Sequence, residues 1–106
     1  MNVYDIEPVC TAHKSGTKRV LLDKYSTETG ITQVAVACMK KGDVVEEHKH
    51  PTMEECFLVR KGTVKIVWGE RCDVLSVDDF IKIDKNTGHS LEAVDDCEML
   101  VIGASC

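Results

Sequence analysis

Aromatic residues are scarce in this chain: two Tyr, two Phe and one Trp among 106 residues. Proteins that hold single-stranded nucleic acid stack bases on aromatic platforms along a basic groove. The formal net charge here is −5, which disfavours nucleic acid or an anionic membrane surface as a partner and otherwise needs no explanation beyond solubility. Apolar runs are short as well. None approaches the ~20 residues that cross a bilayer as a helix, and the N-terminal MNVYDIEPVC lacks the basic start and apolar stretch of a signal peptide. A cytoplasmic protein with no membrane or nucleic-acid partner is expected. Paired-cysteine motifs are also missing. The six cysteines, Cys10, Cys38, Cys56, Cys72, Cys97 and Cys106, form neither a CxxC pair nor a cluster. Scattered in this way they read as reduced, small hydrophobes rather than as a disulfide framework.

What the chain does contain is a succession of short β-rich runs and no convincing helix. Lys18–Leu22 follows a polar lead-in, and a loop over Ser26–Gly30 precedes the mostly apolar Ile31–Met39. Val44–His50, Glu55–Arg60 and Thr63–Trp68 come next, with a tight turn at Lys61-Gly62. Val64, Ile66 and Trp68 alternate with Thr63, Lys65 and Val67, the period of a half-buried strand. Cys72–Leu75, Phe80–Ile83, His89–Ala93 and Glu98–Ile102 complete the series. Short strands with turn signals every ~8–12 residues predict an all-β, single-domain antiparallel barrel or sandwich over 1–106. The core spans 31–102, and 1–17 is an extension or a pairing strand.

The segment from Gly42 to Gly62, GDVVEEHKHPTMEECFLVRKG, carries the chemistry. Two imidazoles one residue apart in a strand, His48 and His50, share a side, because side-chain direction has period two. A turn at Pro51-Thr52-Met53 brings Glu55 back to the same point. Imidazole nitrogen with carboxylate oxygen is a ligand set for zinc, iron, manganese, nickel or cobalt, not calcium. His89, opening a strand after the polar turn of DFIKIDKNTGH, is the candidate fourth ligand. Four donors leave positions open on an octahedral ion, as catalytic sites do. His13, in a polar lead-in, reads as a solvated side chain. Cys56 follows Glu55 directly, so alternation points it away from the ion.

These residues resemble the cupin family. Its first motif, G-x5-H-x-H-x(3,4)-E-x6-G, is matched without a gap by Gly42, His48, His50, Glu55 and Gly62. Counting back from Gly62 selects Glu55 over Glu54. Strand parity agrees, since Glu55, Phe57 and Val59 then face inward. The second motif, G-x5-P-x-G-x2-H-x3-N, keeps His89 but carries Asp78, Asp84, Asn86 and Ala93 at its Gly, Pro, Gly and Asn places. Asparagine tolerates left-handed backbone angles, so Asn86 is a reasonable substitute for glycine. The resemblance implies a jelly-roll barrel of six to eight strands, a divalent transition metal inside it on His48, His50, Glu55 and His89, and pairing as a homodimer.

Two classes of function follow. One is a small metal-dependent enzyme, in which the ion acts as a Lewis acid on a sugar or other oxygen-rich metabolite, polarising a carbonyl or stabilising an enediolate in isomerase or epimerase chemistry. With Fe(II), the same open positions serve dioxygenase chemistry. The other is a non-catalytic module that binds a small ligand such as a sugar. Tyr25, Gln33 and Lys82 are candidate polar groups of the pocket, and no general acid or base is singled out.

Overall fold

The computed structural model describes residues 1–13 and 15–106. A 3-10 turn at Val3–Asp5 is the one helical element among them. Ten strands follow: β1 (Val9–Cys10), β2 (Thr17–Asp23), β3 (Ile31–Met39), β4 (Val44–His48), β5 (Met53–Lys61), β6 (Val64–Trp68), β7 (Arg71–Leu75), β8 (Phe80–Ile83), β9 (His89–Ala93) and β10 (Cys97–Ser105). They form a six-stranded sheet in the order β1-β2-β3-β10-β5-β8 and a four-stranded sheet in the order β4-β9-β6-β7. Every pairing is antiparallel. The expected all-β jelly-roll barrel is therefore the observed fold. β1 and the 3-10 turn are additions that two- and three-residue elements give no periodicity to reveal. No helix among the described residues is long and apolar enough to cross a membrane.

The core lies between the sheets. Val59, Val64, Ile66, Ile83 and Met99 are buried there with at most 2 % exposure, and each such side chain contributes roughly 1.5–3 kcal/mol on burial. Alternation along β6 and β5 produces this layer. Val64 and Ile66 are inside while Val67 is exposed, and Phe57 and Val59 are inside while Arg60 is exposed. Gly62 turns β5 into β6 at a φ of 73°. A Cβ there would strike the Asp96 carbonyl, so glycine is required both for angle and for space.

The cysteines divide differently from expectation. All six are free thiols, but only Cys97 is buried, while Cys38 and Cys56 are half-buried. Cys10, Cys72 and Cys106 are exposed: they lie near strand ends and at the C-terminus, outside the core.

Candidate metal centre

His48 reaches the barrel interior through a register slip rather than through simple alternation. Val45 lies opposite Leu91, yet His48 lies opposite His89, so β4 has one residue more than β9 over this stretch. Val45 is buried, and strict period two would turn His48 to the other face. The β-bulge reverses the parity and aims its ring inward. His50 corrects the sequence reading further, because β4 ends at His48. The His50 ring does not share the side of His48 through strand alternation. Its backbone is clipped instead by the turn before β9, where the Asn86 N–H donates to the His50 carbonyl at 2.8 Å.

β5 carries Glu55 on the face it shares with buried Phe57 and Val59. Glu54 takes the opposite face, where its carboxylate lies 3.1 Å from Lys82 Nζ. Cys56 also lies off the inner face, opposite Lys82 and Ile102. His89 opens β9 and is 1 % exposed. Its Nδ1 donates to the Thr87 carbonyl at 2.9 Å, and its Nε2 lies 3.3 Å from Glu55 Oε1. Two non-glycine residues take left-handed backbone angles in the turns on either side of β8. Asn86 has φ 60° and Asp78 has φ 73°, and both types tolerate that region.

His48, His50, Glu55 and His89 thus converge, with one donor atom from each lying within 4.8 Å of the others. Donors gathered this closely could hold one ion between them. The Nδ1 of His48 sits 2.9 Å from the Glu46 carbonyl. That bond and its counterpart on His89 assign the proton to Nδ1 and turn the Nε2 lone pair toward the centre, the usual arrangement around metal-ligating imidazoles. His50 Nε2 is buried without a hydrogen-bond partner among the described residues. It lies 3.6 Å from Glu55 Oε1. An unsatisfied buried polar atom costs about 1–3 kcal/mol, and a cation at the convergence point would remove that cost.

Electrostatics separate the rings. Burial pushes His50 below the ordinary histidine range, and the neighbouring His48 and His89 add to this while Glu55 opposes it. Burial also works against charge on His89. There, however, the hydrogen bonds to Glu55 and the Thr87 carbonyl, with the charges of Glu55 and Glu47, outweigh it and raise its pKa. The donor set of imidazoles and one carboxylate fits a divalent transition ion and leaves its identity open.

Beside the four donors lies a cavity of about 310 Å³. Phe57, Leu91, Met99 and Val101 give it apolar walls, while His13, Lys18 and Gln33 are polar groups of the lining. On β3 the residues Gln33, Ala35, Ala37 and Met39 all reach it, and the two alanines leave the space open. Gln33 was an expected pocket residue. Tyr25 was another, but it is 86 % exposed in the β2–β3 loop. Lys82, the third, lies on the outer face of β8 between Glu54 and Asp84. His13 departs from its sequence reading in the other direction: although exposed, its ring centroid is 4.2 Å from that of His48. Lys18 was not singled out. The signal was available in β3, where Gln33 is the one polar residue in an inward series of Ala35, Ala37 and Met39, and a polar group there needs a partner.

The family model described as cupin domain matches residues 35–103. The fold is similar to that of a protein from Thermotoga maritima described as a predicted oxalate decarboxylase, with a TM-score of 0.88 at 19 % identity over 99 % of this chain and 97 % of that one. It is also similar to KdgF from Halomonas sp., with a TM-score of 0.80 at 14 % identity over 96 % and 89 % of the two chains. Ectoine synthase from P. lautus gives a TM-score of 0.84 at 17 % identity over 99 % of this chain and 76 % of that one. At these identities the likeness is one of fold. No curated protein matches the chain in sequence.

Proposed function

The chain belongs to the cupin family, and from that premise we propose that it is a metal-dependent enzyme acting on a small, oxygen-rich metabolite by isomerase- or epimerase-type chemistry. The observation that carries this reading is the unpartnered, buried Nε2 of His50, which faces the same point as Glu55, His48 and His89 beside an open cavity. A divalent ion held there supplies Lewis-acid polarisation of a substrate oxygen. His48 and His89 act as pre-oriented donors, because their Nδ1 atoms are tied to backbone carbonyls. Glu55 offsets part of the ion's charge. His13, whose ring lies against that of His48, is the side chain this reading assigns to proton transfer with substrate. The apolar walls narrow the substrate class. A free sugar would set several hydroxyls against Phe57, Leu91 and Met99 without partners, so a shorter molecule whose oxygens are clustered at its ends fits better.

The test is metal analysis of purified protein beside His50→Ala. A stoichiometric transition ion in the wild type, lost or sharply reduced in the variant, is expected. Wild-type protein with only trace metal, unable to take up Co(II) or Zn(II), would refute the reading. Oxygen uptake after anaerobic Fe(II) loading would move the chemistry to the dioxygenase class, and ligand binding without turnover would move it to a binding module.

A further inference from the structure

The cavity does not share the acidic excess of the chain. The protein as a whole is acidic, with a formal net charge of −5. Among the described residues lining the cavity, however, Glu55 is the one carboxylate and Lys18 the one lysine or arginine. Lys18 is half-buried on β2, and its Nζ donates to Gln33 Oε1 at 2.7 Å. Among the described residues no carboxylate lies within ion-pairing distance of that ammonium. A cation held by a neutral amide against apolar walls is under-compensated. With a divalent ion on the four donors, Glu55 cancels half of the ion's charge, and Lys18 leaves the cavity doubly positive.

We propose that Lys18 and Gln33 form a carboxylate subsite and that the cavity takes a small dianion, one end of which chelates the ion while a second carboxylate rests on Lys18. The Gln33 carbonyl oxygen is engaged by Lys18, which leaves its amide N–H groups to donate alongside the ammonium. One ammonium and one amide match the two oxygens of a carboxylate, whereas a terminal phosphate offers three oxygens and calls for more donors. The volume of about 310 Å³ suits a short dicarboxylic skeleton, and its methylene groups would meet the apolar walls. The chelating end rests on the metal reading above; the carboxylate end does not.

The two are separable by experiment. Co(II)-loaded protein is titrated with 2-oxoglutarate and 2-oxoadipate, and with 2-oxopentanoate and 2-oxohexanoate, which keep the same chelating head but lack the distal carboxylate. Calorimetry gives Kd, and the visible Co(II) spectrum reports engagement of the head. In the wild type at least one diacid should bind about tenfold more tightly than its monoacid, the worth of one charge-assisted hydrogen bond. Lys18→Gln should remove that preference while leaving Co(II) content and monoacid affinity unchanged, and Lys18→Arg should retain it. Diacids no tighter than monoacids, or a preference that survives Lys18→Gln, would overturn the proposal. If the protein takes up no Co(II), the metal reading has failed, and the carboxylate subsite is read alone from the Gln33 side-chain amide resonance during titration of the protein with butyrate. A saturable shift in the wild type that Lys18→Gln abolishes supports the subsite, and no shift overturns it.

Discussion

Replacing Asn86 isolates the contribution of one backbone angle to the metal centre. Asn86 has φ 60°, and its N–H holds the His50 carbonyl at 2.8 Å. The next residue, Thr87, supplies the carbonyl that orients the His89 ring. Left-handed backbone costs an ordinary L-residue roughly 1–2 kcal/mol, and asparagine escapes part of this. Asn86→Ala should therefore lower unfolding free energy by about 1 kcal/mol, or Tm by roughly 4–8 °C in a domain of this size. Asn86→Gly removes the steric cost but adds about 0.5–1 kcal/mol of unfolded-state entropy, so its stability should stay within about 0.5 kcal/mol of wild type. Because neither change touches a donor atom, any effect on metal passes through positioning. Asn86→Ala should weaken Co(II) about tenfold, the lower range for loss of an outer-shell partner. Asp78→Ala is the control: it has the same backbone class, at φ 73°, and its N–H holds the Val59 carbonyl at 2.8 Å. It should lose comparable stability and keep metal affinity. Urea unfolding of apo protein and Co(II) titration measure the two quantities. Equal destabilisation by Asn86→Gly and Asn86→Ala, or equal loss of Co(II) affinity at Asn86 and Asp78, would refute the argument.

Four further outcomes follow from the same structure. His13→Gln should keep full metal stoichiometry where His50→Ala does not, because the ring of His13 lies against His48 but stands apart from the converging donors; elemental analysis decides it. Gly62→Ala should cost about 2 kcal/mol or more in urea unfolding, combining left-handed backbone with a Cβ against the Asp96 carbonyl, whereas Gly42→Ala meets open space and should cost clearly less. Tyr4→Phe removes a hydroxyl that donates to the buried Glu98 carboxylate at 3.0 Å, so it should destabilise by about 1–2 kcal/mol; in the Glu98→Gln background much of that loss should disappear, as a double-mutant cycle would show. Under native conditions iodoacetamide should label Cys10, Cys72 and Cys106 first and Cys97 last, because burial pushes the Cys97 thiol up and keeps it protonated; peptide mass spectrometry reads the order, and early labelling of Cys97 would contradict its burial.

Strands β5 and β6 were legible because their buried residues recur at period two. Val64 and Ile66 on β6 and Phe57 and Val59 on β5 needed no partner to declare their inner face. Glu55 was selected over Glu54 by the same rule, and the two carboxylates do take opposite faces of β5. The N-terminal elements were not legible: β1 has two residues, and its pairing with β2 is a tertiary choice that local alternation does not encode.

The convergence of the four candidate ligands was legible in their residue types and only in part through the reasons given for them. His48 and His50 are two apart in sequence, and strand parity alone accounts for neither of them. A bulge between Val45 and His48 turns the first ring inward, and a hydrogen bond from the β8–β9 turn fixes the backbone of the second. Both devices depend on the neighbouring segment that also carries His89. The centre is therefore built at a seam: His48 and His89 belong to the four-stranded sheet, Glu55 to the six-stranded sheet, and His50 to the connection between them. An ion bound at such a seam would join elements that otherwise meet through apolar packing, and its binding free energy would add to the stability of the folded state by mass action, about 2.7 kcal/mol at a hundredfold excess over Kd. His13 was read as solvated and Lys18 was not singled out for the corresponding reason, since both line a cavity that forms only when β2 pairs with β3.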